Sequence, residues 1–205
     1  MRRTTRLIAM AGLLIGEWLF ATVASRGDEI NVGDPAPEFE CLDDQGQVWN
    51  SRDHIGKQIV VVYFYPSDFS FCCTRQACRY RDQMREFRKL DVKVVGISGD
   101  AVEAHRHFQA THKLNFSLLA DEDGEVARKF GVPLRVGGKA MIANAQGQAV
   151  LNAAGQAMQV PRKVTAARWT FVVGPDGRVL YRETNISPVK DSLDVLEFLR
   201  TLDSR

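Results

Sequence analysis

Residues 58–65 read QIVVVYFY, an unbroken β-branched and aromatic run closed by Pro66. A run of that kind predicts a strand buried on both faces. From Thr74 the period changes. Ala77, Tyr80, Met84, Phe87 and Leu90 recur every three or four residues, which predicts an amphipathic helix whose apolar stripe is core and whose start lies at Cys73. Residues 91–98 (DVKVVGIS) predict the next strand, 101–113 a helix, 116–119 a short strand, and 122–130 a helix stopped by Gly131 and Pro133. Later, 168–173 and 178–181 flank Gly174-Pro175-Asp176-Gly177, a strong turn signal, and 192–202 predicts a closing helix. Upstream, 30–37 is an extended entry. Residues 38–42 and 47–49 flank Asp43-Asp44-Gln45-Gly46 and predict a small hairpin. The alternation of strand and helix predicts one α/β domain over 30–205, a central mixed sheet flanked by helices with an N-terminal β-hairpin.

Two stretches stand apart. Residues 134–167 fit the alternation poorly, and Asn144-Ala145-Gln146-Gly147-Gln148-Ala149 nearly repeats as Asn152-Ala153-Ala154-Gly155-Gln156-Ala157. Each copy places Asn and Gly where a tight turn needs positive dihedrals, so an insertion-like hairpin or flap is expected there. In the first 25 residues Arg2, Arg3 and Arg6 precede an apolar run from Leu7 to Gly16, and small residues follow at Thr22 to Ser25. That order predicts a secretory signal, cleaved after Ala24 or Ser25, and an exported, periplasmic or extracytoplasmic protein of a bacterium. A retained anchor is the alternative. It is disfavoured by Glu17 within the apolar stretch, because a charge near mid-bilayer costs roughly 2.5–3.5 kcal/mol.

With 205 residues, 45% of them hydrophobic and 25% charged, the chain suits one well-buried domain. Its 27 basic and 25 acidic residues nearly balance at +2, and no basic block beyond the N-terminus points to nucleic acid. His105, His107 and His112 share a predicted helix, but i, i+2 spacing turns side chains to different faces, so solvated histidines are expected rather than a metal site. Cysteines change the picture more. Cys41 lies on the predicted hairpin and reads as a packed residue, whereas Cys72, Cys73 and Cys78 crowd into seven positions. Three fully paired arrangements of four cysteines are open, and clustering this tight staples little of a fold. It points to chemistry.

Cys73 follows the buried strand and Pro66 at the start of a helix. The unpaired N–H groups and positive dipole end of a first turn stabilise an anion, so a thiolate there is a nucleophile at neutral pH. Ser70, three residues earlier, can set its hydroxyl beside the sulfur, accepting from an incoming substrate and donating to the thiolate. Pro66 would fix the loop and exclude water. Arg168, at the start of a later strand, could bring a guanidinium to the sulfur. Cys78 lies five residues on, which on one helix is about 7.5 Å along the axis and roughly 140° around it. Disulfides need Cα atoms within about 6.8 Å and facing Cβ vectors. A Cys73–Cys78 bridge would therefore require the first turns of the helix to unwind.

The string from Tyr63 to Cys78 resembles the peroxiredoxins, in particular the bacterioferritin-comigratory or Q-type branch. That family carries Pro-x-x-x-Thr/Ser-x-x-Cys and often a resolving cysteine five residues on, positions held here by Pro66, Ser70, Cys73 and Cys78. The stretch from Arg168 to Val173 with Asp176-Gly177 resembles the later family strand, whose arginine binds the sulfur and the peroxide. The resemblance implies a thioredoxin-like fold and hydroperoxide reduction through a Cys73 sulfenic acid. It further implies a redox-active Cys73–Cys78 disulfide reduced by a thioredoxin-like dithiol donor, with neither metal nor organic cofactor. A monomer or weak homodimer is the expected assembly, with no nucleic-acid partner and a membrane only if the leader is retained. Phe71-Cys72 departs from the family's usual Pro-Gly, and Cys72 has no assigned role. Two rivals remain: a thioredoxin-like thiol–disulfide oxidoreductase, which lacks its Cys-x-x-Cys spacing here, and a thiolate-based copper chaperone, which lacks its Cys-x-x-x-Cys pair.

Overall fold

The structure, a computed structural model, describes residues 29–203; the expected signal segment lies outside them. Strand β1 (Glu40–Asp43) and β2 (Val48–Asn50) form the N-terminal hairpin, and β3 (Ile59–Phe64) follows a short 3-10 turn. Helix α1 (Phe71–Lys89), β4 (Val92–Ser98), α2 (Val102–His112), β5 (Ser117–Ala120) and α3 (Glu125–Lys129) come next. Strands β6 (Leu134–Met141) and β7 (Gln159–Ala166) precede β8 (Trp169–Val173), β9 (Val179–Glu183) and α4 (Asp191–Asp203). Seven strands make one mixed sheet in the order β2-β1-β5-β4-β3-β8-β9. β3 lies inside the sheet, parallel to β4 and antiparallel to β8, with Val62 opposite both Val95 and Phe171.

The pleat of β3 sorts its side chains by parity. Val61, Tyr63 and Tyr65 face Ala77, Tyr80, Met84 and Phe87 of α1 and Val195, Leu196 and Leu199 of α4. Val60, Val62 and Phe64 face Phe39, Val126, Phe130 and Trp169. Burying each such side chain stabilises the fold by roughly 1.5–3 kcal/mol, which explains a run with no polar residue. The ring of Tyr63 stacks on Tyr80 at 4.7 Å and passes over Gly96, where a Cβ would lie 2.6 Å from the phenol. Only glycine leaves that space.

Two helix starts differ from the sequence reading by two residues or more. Helix α1 begins at Phe71 rather than Cys73, because Ser70 caps it: its backbone is extended and its Oγ accepts from the Cys73 N–H. Helix α3 is cut to five residues. The Asp121 carboxylate takes the N–H groups of Val126 and Ala127 at 3.0 and 2.8 Å, and Gly124 in the left-handed region (φ +73°) starts the turn only there. Within the 134–167 excursion, β6 and β7 pair as a separate antiparallel ladder. Its far end carries the two Asn-Gly turns, in each of which the Asn carboxamide oxygen accepts two backbone N–H groups.

Candidate active site

Ser70 at the end of the 66–70 loop sets the first turn of α1, and that turn carries Cys73 into the core, 1% exposed. Arg168, in the junction between β7 and β8, donates from Nη2 to Cys73 Sγ at 3.1 Å. A guanidinium and a helix N-terminus thus converge on one sulfur, and both favour its anion. Arg168 is itself held: its Nη1 donates to the Gln76 carboxamide oxygen. The Gln76 Nε2 in turn donates to Asp191 Oδ2 at 2.6 Å. The same oxygen accepts from the Tyr80 hydroxyl at 2.8 Å and the Thr170 hydroxyl at 3.0 Å. Burial pushes the Asp191 carboxyl up, against the opposing pull of these three donors and of Arg168.

The structure brings Cys73, Arg168 and Ser70 to one place, and the Ser70 hydroxyl is used differently from the expectation. The Ser70 hydroxyl accepts from the Cys73 backbone N–H at 3.4 Å and donates to the Ser67 carbonyl at 3.3 Å. In this state its proton goes to the loop, not to the sulfur. Pro66 lies two residues past the end of β3 and begins that loop. Cys78 stands apart, half-buried on the intact α1, and all four cysteines are free thiols. Burial pushes the Cys78 thiol up, with Arg81 opposing. Cys41 packs at the rim of the second core cluster, where burial pushes its thiol up to about 12, so it stays protonated and inert. Phe71 (75% exposed) and Cys72 both lie on the outer side of α1, with the Arg75 guanidinium 5.4 Å from the Phe71 ring. The unusual pair thus leaves the buried face of the helix to Cys73.

Gln76 and Asp191 escaped the sequence reading. For Gln76 a signal existed, since a polar residue sits in the buried register between Cys73 and Tyr80. For Asp191 there was none beyond its place ahead of the closing helix. Among the described residues no three His, Cys, Asp or Glu side chains are grouped to hold a metal ion.

The histidine expectation needs correction. His105 is not solvated but fully buried, its Nδ1 2.8 Å from Asp68 Oδ2, while Tyr65 donates to Asp68 Oδ1 at 2.8 Å. Amphipathic spacing puts one face of α2 inward, and His105 falls on it with Ala104 and Phe108. Burial would lower the His105 pKa, but the Asp68 charge and hydrogen bond outweigh it and raise it overall. The Asp68 carboxyl is raised, chiefly by burial and despite His105. Both groups bind protons more tightly folded than unfolded, so their stabilisation is lost as pH rises. For His105 it is complete below the unfolded value near 6.5 and fades as pH climbs through the raised folded value. Urea midpoints of the chain should fall between pH 7 and pH 9 more steeply than those of His105→Gln, and parallel profiles would remove this pair as the cause.

A parallel β3–β4–β5 core, with a cysteine in the first turn of the helix after β3 and a guanidinium on its sulfur, defines a thioredoxin-like fold. The model of the AhpC/TSA family matches residues 32–182, and the chain belongs to that family. Chloroplastic peroxiredoxin Q of Sedum lineare is 43% identical over 105 residues, 51% of this chain and 56% of that protein. The putative peroxiredoxin bcp of Coxiella burnetii is 42% identical over 103 residues, 50% of this chain and 68% of that one. The chain thus spans about half the length of most of the curated relatives it matches. Among solved structures, peroxidoxin BcpB from Mycobacterium tuberculosis aligns with a TM-score of 0.67 at 28% identity, covering 85% of this chain and 99% of that one.

Proposed function

We propose that this chain is a thiol peroxidase, with Cys73 as the nucleophile and Cys78 as the resolving thiol. The observation that carries this is the Arg168 Nη2 to Cys73 Sγ contact of 3.1 Å at a helix N-terminus. The Cys73 thiolate attacks the terminal oxygen of a hydroperoxide, the O–O bond breaks, and the alcohol or water leaves with a proton. Arg168 stabilises the charge that moves onto the leaving oxygen. Cys73 is then a sulfenic acid. After the first turns of α1 unwind, the Cys78 sulfur displaces hydroxide from it; a disulfide forms and the thiol proton leaves with that hydroxide as water. A thioredoxin-like dithiol supplies the two electrons that reopen the bridge. The peroxiredoxin Q and Bcp relatives support this reading.

Mixing reduced protein with hydrogen peroxide and following tryptophan fluorescence tests it, since Trp169 adjoins Arg168 and stacks under Arg182 at 4.5 Å. A fast peroxide-dependent change, lost in Cys73→Ser, is expected. No change and no peroxide consumption would refute it, and a mapped bridge other than Cys73–Cys78 would refute the resolving step. We further propose export, on the basic, apolar and small-residue order of the first 25 positions. No described helix is long and apolar enough to cross a membrane. N-terminal sequencing of the protein from the expressing cell should begin near Ser25 or Arg26.

A further inference from the structure

The β6–β7 hairpin contributes nothing to the chemistry above, yet it is joined to the loop that carries Pro66 and Ser70. Arg162, on β7, has a side chain only 11% exposed. Its Nη1 donates to Ser67 Oγ and, at 3.2 Å, to Asp100 Oδ1. Its Nε donates to Thr165 Oγ1 at 3.2 Å, which aims the guanidinium inward. The other oxygen of Asp100 accepts from the Asp68 N–H and the Ser98 hydroxyl, both at 2.8 Å. Ser67 passes the connection on, since its carbonyl accepts from Ser70, whose oxygen holds the Cys73 N–H.

The hairpin also seats itself on the same loop through apolar contact. Phe69 packs against a cluster of Ala104, Ala140, Ile142 and Val160, two of them from β6 and β7. Phe69 has a φ of +56°, a left-handed backbone that a bulky L-residue adopts only when its surroundings hold it there. At the hairpin's base the Val164 carbonyl comes so close to Gly99 that a Cβ there would lie 2.2 Å from it, so the ladder rests directly on the end of β4.

We propose that Arg162 is a positioning residue: it braces the 66–70 loop in its folded form and so sets how fast Cys73 can leave its site to meet Cys78. This rests on the peroxidase reading. Contacts made only in the folded loop oppose its unwinding, and unwinding the first turn of α1 must break the Ser70–Ser67–Arg162 chain. The strain at Phe69 is released in that step, so the brace is what holds the balance. Two fates compete for the Cys73 sulfenic acid. Either Cys78 displaces its oxygen as water, or a second hydroperoxide oxidises it to sulfinic acid and leaves as alcohol or water. A tighter loop lengthens the life of the sulfenic acid and favours the second fate.

The test compares the chain with Arg162→Met, which keeps bulk and loses the charge. In stopped flow the slower, peroxide-independent resolving phase should be about tenfold faster, equivalent to about 1.4 kcal/mol, while the peroxide-dependent phase stays within threefold. Under excess peroxide the sulfinic fraction found by mass spectrometry should fall. An unchanged resolving phase and sulfinic fraction overturn the brace, even if the variant melts at a lower temperature. Should Arg162→Met not fold, Thr165→Val removes only the aim of Arg162 and must shift the same phase in the same direction; no shift overturns the proposal equally. Hydrogen exchange of the 67–73 amides in the reduced chain separates the two readings. If the unsubstituted chain consumes no peroxide the peroxidase reading falls, yet exchange there must still quicken in the variant, and equal exchange sinks the brace.

Discussion

Arg168→Met should lower the second-order rate constant for hydrogen peroxide by about 10²–10³-fold, the usual cost of removing one preorganised donor aimed at developing charge. The guanidinium is the charged group donating to the sulfur, 3.1 Å away. In the ground state it pairs with the thiolate, and in the transition state it meets the charge passing to the leaving oxygen. The loss of both should appear in the peroxide-dependent phase. The resolving phase should change little, because Arg168 gives its hydrogen bonds to Cys73 and Gln76, not to Cys78 or the 66–70 loop. Stopped-flow traces across a peroxide range separate the two phases. A peroxide-dependent phase within threefold of the unsubstituted chain would show that the helix N-terminus alone activates Cys73, and the role given to Arg168 would be withdrawn. Arg168→Lys should recover only part of the loss, since one ammonium cannot donate both to the sulfur and, in fixed fork geometry, to Gln76.

The second large effect lies further from the sulfur. One oxygen of Asp191 accepts from Gln76 and Tyr80 of α1 and from Thr170 of β8, in a site with almost no access to water. Asp191→Ala would strand three buried donors and leave a cavity. Breaking a buried charged network by removing one partner costs about 3–5 kcal/mol, a large share of the ~5–15 kcal/mol that holds a domain folded. Urea denaturation should show that loss as a lower midpoint with an unchanged slope. Asp191→Asn keeps the shape and one acceptor but turns an amide toward the three donors, so it should be milder in stability. It should still slow the peroxide phase about tenfold, a barrier change of about 1.4 kcal/mol, because Gln76 loses the anchor that lets its oxygen hold Arg168. If Asp191→Asn is destabilised yet reacts with peroxide at the full rate, the network is structural support alone and does not position Arg168.

Much of this protein follows from local pattern. The buried strand β3, the register of α1, the two turns at Asp43-Gly46 and Gly174-Gly177, and the hairpin character of 134–167 are set by period and turn chemistry, which act over a few residues. The candidate nucleophile is of the same kind, since a cysteine just past a strand and a capping serine is placed by its own neighbours. The order of motifs also sufficed to suggest Arg168. Helix ends were less legible. Asp121 shortened α3 by capturing two N–H groups, and Ser70 began α1 earlier, because a side-chain acceptor outbids propensity at a helix terminus.

Which distant polar groups are buried together is a matter of packing across the fold. His105 lies 37 residues from Asp68, Gln76 115 from Asp191, and Arg162 95 from Ser67. No spacing rule spans such gaps, and only Gln76, in the buried register of α1, carried a local sign of burial. Their positions follow from sheet order and crossover connections that bring loop, helix and hairpin to one end of the sheet. There, shut away from water, each polar group must find a partner or be costly to the fold. Local pattern sets the elements and singles out Cys73; the packing of those elements sets what surrounds its sulfur.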